Sequence, residues 1–183
     1  MSFEERRGDS ITDDGRRKLE QLIKDNKIKQ AKRQLTRDLK KHHDIDLAEK
    51  DYVDYQQSEE VRRKVYERIR ADKVQILKFP YDQEVLPSKI DFIFNYFMKY
   101  EDTTILFYPS IFTVGSNLRT GDQLYLNFPL AVAVPLRDCR EMIMKLMSEM
   151  HNDLIVVSEE LGFGFVLSED EYSDVTIEYW EKS

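Results

Sequence analysis

Three β-rich runs close together at the C-terminal end constrain this chain most. "DLIVVSE", "FGFVLSE" and "DVTIEYW" lie between residues 153 and 180, separated by short polar stretches. Apolar, β-branched and aromatic residues in runs of this length, bounded by turn residues, predict consecutive antiparallel strands. Two earlier runs have the same composition, "KVQILKF" at 73–79 and "TTILFYP" at 103–109, and residues 124–135, "LYLNFPLAVAVP", are also β-rich. Between them, "PSKIDFIFNYFMKYED" and "LRDCREMIMKLMSEMHND" place apolar residues at helical spacing, the first opening on Pro87 and Ser88. The order after residue 73 is therefore β-α-β-loop-β-α-β-β-β. Helices alternating with strands, then a meander, predict an α+β fold: a mixed sheet with helices on one face and an antiparallel C-terminal end.

The first seventy residues read differently. Leu19, Leu22 and Ile23 mark one amphipathic stretch, opened by Asp13 or Asp14 as cap. Ile28, Ala31, Leu35 and Leu39 mark another, and "KDNK" at 24–27 is read as a break between them. "DIDLAEKDY" reads as a short helical turn. "SEEVRRKVYERIRAD" is a helix with Ser58 as cap and Val61, Val65 and Ile69 as its apolar stripe. The domain division expected is a helical module at 1–72, its first twelve residues loose, and a sheet domain at 73–183. Helical pairs alone do not make an α-solenoid, since no repeat recurs.

Charge follows the same division. Residues 1–73 hold 20 Lys and Arg against 17 Asp and Glu, while residues 74–183 hold 8 against 18. The first section is net +3 and the second net −10, and within the first, residues 16–43 reach net +8. Such asymmetry predicts two different sets of surroundings, or contact between the two sections. No apolar run approaches the roughly 20 residues needed to cross a bilayer. "MSFEERRGDS" lacks the apolar centre of a secretory signal. The single cysteine, Cys139, leaves no internal disulfide and fits a reducing compartment. A soluble, cytoplasmic protein is expected.

Several residue clusters carry possible chemistry. Gly162 and Gly164 in "SEELGFGFVLSEDE" superficially offer a phosphate loop. Such loops precede a helix N-terminus, and here a strand follows amid Glu159, Glu160, Glu169, Asp170 and Glu171. A hairpin with Gly162 at positive φ and Gly164 within a strand is expected instead. Cys139 lies near a helix start between Arg137 and Arg140, which favours a thiolate. Its helix-mate His151 is about 18 Å along that helix, too far to act as base, so a half-buried thiol is expected. His42, His43, Asp44 and Asp46 are metal-ligand types, but adjacent helical histidines diverge by about 100°. No metal and no cofactor are expected. Acidic runs in turns are ordinarily solvated and make poor acid–base pairs.

Two binding surfaces remain. The C-terminal acids, with nearby aromatics, predict a partner-binding edge of Glu159, Glu160, Glu169, Asp170, Glu171, Tyr172, Asp174 and Trp180, suited to a protein with a basic surface. This points to a non-catalytic protein-binding role, concretely an acidic inhibitor of the immunity type that blocks a basic partner such as a nuclease toxin. The alternative is nucleic-acid association through Arg16, Arg17, Lys29, Lys32, Arg33 and Lys40. A third reading is an enzyme whose polar stretch at 110–123 uses Arg119 and Arg137 on an anionic substrate.

Overall fold

The computed structural model describes residues 13–109, 124–147, 153–169 and 174–182. The stretch at 110–123 with Arg119, His151, and the predicted edge residues Asp170, Glu171 and Tyr172 lie outside the described residues.

The chain begins with two helices, α1 (Asp13–His43) and α2 (Tyr55–Arg70). Then come β1 (Gln75–Pro80), α3 (Leu86–Tyr96), a 3-10 turn at Met98–Tyr100 and β2 (Thr104–Tyr108). A second 3-10 turn at Leu124–Asn127 leads to β3 (Val132–Pro135), α4 (Leu136–Leu146), β4 (Leu154–Ser158), β5 (Phe163–Glu169) and β6 (Asp174–Glu181). The α+β class holds, and the element order after residue 73 matches the expected one. Only Val132–Pro135 of the β-rich run at 124–135 is strand; its beginning is the second 3-10 turn.

The described residues form one sheet in the order β1-β6-β5-β4-β2-β3. All five pairings are antiparallel, so the sheet is antiparallel throughout rather than mixed. β4, β5 and β6 form the expected meander. β6 does not end the sheet, because β1 returns to pair with it from Gln75↔Tyr179 to Pro80↔Asp174.

Alternating strand residues face two separate cores. Ile105, Phe107, Leu154, Val156, Phe163, Phe165, Val175 and Ile177 face the larger one, which α1, α3 and α4 cover. Leu106, Tyr108, Ile155, Val157, Val166 and Trp180 face the smaller one, covered by Val61 and Val65 of α2. Helices thus pack on both faces, not on one. The two-sided burial explains why strands such as "LIVVS" lack polar alternation. The helical section does not stand apart either: Ile28, Ala31, Leu35 and Leu39 of α1 belong to the same core as the sheet.

Local chemistry corrects several expectations. The helix over 13–43 is continuous; "KDNK" does not break it, and Gln21 donates to Asp25 one turn on at 2.9 Å. No Gly or Pro interrupts residues 16–43, and an Asp-Asn pair alone does not stop a helix supported by packing further along. Residues 44–50 form turns, not helix, with Asp44 at φ 51° and Asp46 accepting from the Ala48 amide at 3.0 Å. Asp54 caps α2, accepting from the Gln56 and Gln57 amides at 2.8 and 3.3 Å. Ser58 is instead inside that helix and buried, and the Tyr108 hydroxyl donates to its carbonyl at 2.8 Å.

The two edges of the sheet differ. Residues 51–53 run along β3: the Val53 amide donates to Ala131 and the Ala133 amide to Asp51, each at 3.0 Å. No described segment runs along β1 in this way.

Candidate interaction face on the first helix

At about 100° per residue, the two apolar stripes of α1 lie roughly 180° apart. Ile28, Ala31, Leu35 and Leu39 point into the core and are at most 9% exposed. Leu19, Leu22 and Ile23 point the opposite way and are 50%, 60% and 46% exposed. The change of face at 24–27 is thus real, and one continuous helix accommodates it by turning a second apolar stripe to solvent. No side chain of residues 13–27 is buried.

Farther along, the same outward face becomes basic. Lys29, Arg33, Arg37 and Lys40 fall within an arc of about 80°. All four are exposed. Arg33, Arg37, Gln30 and Gln34 line a shallow depression of about 370 Å³, closed on one side by Leu124. The Leu124 amide donates to the Gln34 side-chain carbonyl at 2.8 Å, which ties the 3-10 turn to the helix. Arg37 Nε donates to Asp38 at 3.1 Å, and the Asp38 side chain is nearly buried. Burial, and next to it the Asp38 carboxylate, hold the Tyr125 hydroxyl well above the ordinary tyrosine range.

The six basic residues expected to contact nucleic acid do not act as one set. Lys29, Arg33 and Lys40 share the outward face. Lys40 is engaged by Asp44 at 2.9 Å and Asp46 at 3.7 Å, and this pairing raises the lysine and lowers Asp44. Lys32 turns to the flank, over the Tyr52 ring at 5.4 Å. Arg16 pairs with Glu20 at 3.1 Å, and Arg17 lies on the core-side direction of the helix, ahead of the core. Arg37 belongs with Lys29 and Arg33 and was not among the six. Helical phase counted from Lys29 onward, wholly beyond "KDNK", places it there.

The expected acidic edge is divided. Glu159 and Glu160 sit in the β4–β5 turn, and Glu169 and Asp174 at the opposite end of β5, a strand that spans about 20 Å. Glu159 accepts from the Gln57 amide side chain at 2.5 Å, and Asp174 pairs with Lys78 at 3.1 Å. Trp180 is 2% exposed. Its Nε1 donates to the Leu161 carbonyl at 3.3 Å, Arg68 lies 5.5 Å over its ring, and the indole occupies the space beside Gly164. A Cβ on Gly164 would come within 2.8 Å of that ring and of the Val156 carbonyl, which accounts for a glycine in mid-strand. The positive φ of the turn belongs to Leu161, at 58°, and not to Gly162.

The remaining clusters resolve as packing and pairing. Cys139 is fully buried, and burial pushes its thiol well up, away from thiolate chemistry. Arg140 pairs with Asp91 at 2.6 Å and Arg137 with Asp102. His43 faces the core while His42 is exposed, so the two histidines diverge. No helix among the described residues is long and apolar enough to cross a membrane. No protein-family model, curated protein or solved structure matches the chain.

Proposed function

We propose that this is a cytoplasmic, non-catalytic protein-binding protein of the inhibitor or immunity type, which holds its partner on the outward face of α1. One observation carries the reading: Leu19, Leu22 and Ile23 form an exposed apolar stripe on the side of α1 turned away from the core. An amphipathic helix that lays an i, i+3, i+4 stripe into a groove is a common mode of protein recognition. Lys29, Arg33 and Arg37 continue that face, so the matching partner has an apolar groove with an acidic margin. Its charge is the reverse of the one expected from the C-terminal acids, which offer a basic partner two separated patches. The test is calorimetric titration against the protein encoded beside this one. Leu22→Glu with Ile23→Glu abolishes binding, and Glu159→Lys with Glu160→Lys leaves it intact. The opposite pattern returns the site to the acidic turn and sinks the α1 reading.

The alignment of Lys29, Arg33 and Arg37 also favours a second reading, nucleic-acid association. Three phosphate contacts give a slope of log K against log salt near −2.7, at about −0.9 per contact on duplex DNA. Anisotropy titration of a labelled duplex over a salt series distinguishes the two. Binding with that slope, insensitive to Leu22→Glu, supports nucleic acid over protein.

A further inference from the structure

Arginines in this chain are seldom left alone. The sequence has 35 Asp and Glu against 28 Lys and Arg, so carboxylates are in excess. Arg16, Arg63, Arg137 and Arg140 each pair with one or more of them. Arg62 and Arg68 lie over aromatic rings, and Arg70 donates to a backbone carbonyl. Among the described arginines only Arg17 and Arg33 have no carboxylate, ring or carbonyl partner. Arg17 stands on the first half of α1, where no side chain is buried. Arg33 stands on the anchored half, between the buried Ala31 and Leu35. It also lines the depression of about 370 Å³, with Gln30, Gln34, Arg37 and Leu124. The four helical residues follow the i, i+3, i+4, i+7 spacing, so their side chains stand together on one face.

We propose that this depression is a seat for an oxyanion, a phosphate or carboxylate group, held between the guanidiniums of Arg33 and Arg37. Gln30 adds a donor, and Leu124 forms an apolar wall for the carbon atoms that carry the anion. The two arginines lie one turn apart, about 6 Å along the axis, so one oxyanion accepts from both forks. Arg37 is already held: its Nε donates to Asp38, which is 8% exposed, at 3.1 Å. That bond occupies one donor and leaves the rest of the fork, and the Arg37 side chain is still 68% exposed. The wall is fixed as well, because the Leu124 amide donates to the Gln34 side-chain oxygen at 2.8 Å. Beneath both arginines the helix is anchored in the core through Ala31, Leu35 and Leu39. The seat therefore stands ready before its ligand arrives. It shares Arg33 and Arg37 with the partner face proposed above, and it does not need the apolar stripe of Leu19, Leu22 and Ile23.

Nitrogen–proton NMR of the full chain tests it, with inorganic phosphate and acetate titrated separately against a chloride background of constant ionic strength. The Arg33 and Arg37 Nε–H signals and the Leu124 amide are expected to move together on one saturating curve. Arg33→Gln and Arg37→Gln each weaken that curve by about tenfold or more, the loss of hydrogen bonds to a charged group. Lys29→Gln, which removes a charge outside the lining, changes it by about twofold or less because exposed charges are screened. All these side chains are exposed, and the amide spectrum verifies that each variant remains folded. Leu22→Glu leaves the curve in place, so a failure of the apolar stripe as a partner site is read separately from a failure of the seat. Tighter saturation by phosphate assigns the seat to a phosphate group, and tighter saturation by acetate assigns it to an acidic side chain of a protein. A linear drift without saturation for both anions overturns the proposal. So does a curve that survives Arg33→Gln, or one that Lys29→Gln weakens as much as Arg33→Gln does, since that marks a diffuse positive field.

Discussion

The two halves of α1 are made of similar material and end in opposite situations. From Ile28 onward one face is sealed in the main core and the other carries the basic strip. Over residues 13–27 no side chain is buried, yet Leu19, Leu22 and Ile23 are as apolar as the residues that hold the second half down. A helix gains most of its stability in a protein from packing one face, not from propensity. Among the described residues no buried cluster packs on the first half, and its apolar stripe lies on the side turned away from the core. The difference separates the residues that hold the fold from those left on its surface.

The largest test of this contrast is proline. Thr36→Pro, in the packed half, removes a helix hydrogen bond at about 3 kcal/mol or more and displaces the Leu35 and Leu39 contacts, so the fold is expected to collapse in urea titration. It also removes the hydroxyl that pairs with Tyr52 at 2.8 Å. Leu35→Ala comes next, with an expected loss of about 2–5 kcal/mol in the same titration. Asn26→Pro melts the first half alone: far-UV circular dichroism falls by about a dozen residues of helix, while the unfolding midpoint shifts by under about 1 kcal/mol equivalent. A large midpoint shift there would show that residues 13–25 support the core. Arg33→Glu with Arg37→Glu changes stability by about 0.5 kcal/mol or less but removes the outward anion preference, measured as a change in the salt dependence of partner binding. The smallest expected effect on stability is that of Leu22→Ala, within about 0.5 kcal/mol, with the partner affinity reduced.

Much of this was legible in the residues. Stretches such as "FGFVLSE" and "KVQILKF" carry strand composition on their face, and the positions Ile28, Ala31, Leu35 and Leu39 announce a buried stripe. The order of strands was not legible, because the return of β1 to β6 joins residues about a hundred positions apart and leaves no local mark. That pairing turned the expected terminal strand into an interior one, and the packing of α2 took Trp180 out of solvent. The antiparallel character of the sheet and the placement of α2 on its second face were hidden for the same reason. Charge misled in a different way. Counting acids along "SEELGFGFVLSEDE" treats sequence neighbours as one surface, whereas a strand between two turns carries them to opposite ends of the sheet. The continuity of α1 failed on periodicity: a stripe that changes face looks like an interruption when read in short windows.

The seat of Trp180 makes the molecule its own probe. The chain has a single tryptophan. Its indole is packed between Gly164 and Arg68 in the layer closed by α2, while α1 lies across the sheet on the other side. Its emission therefore follows the detachment of α2 and the opening of the sheet. Events confined to the exposed half of α1 leave that signal dark, so fluorescence and circular dichroism would report two different parts of one chain.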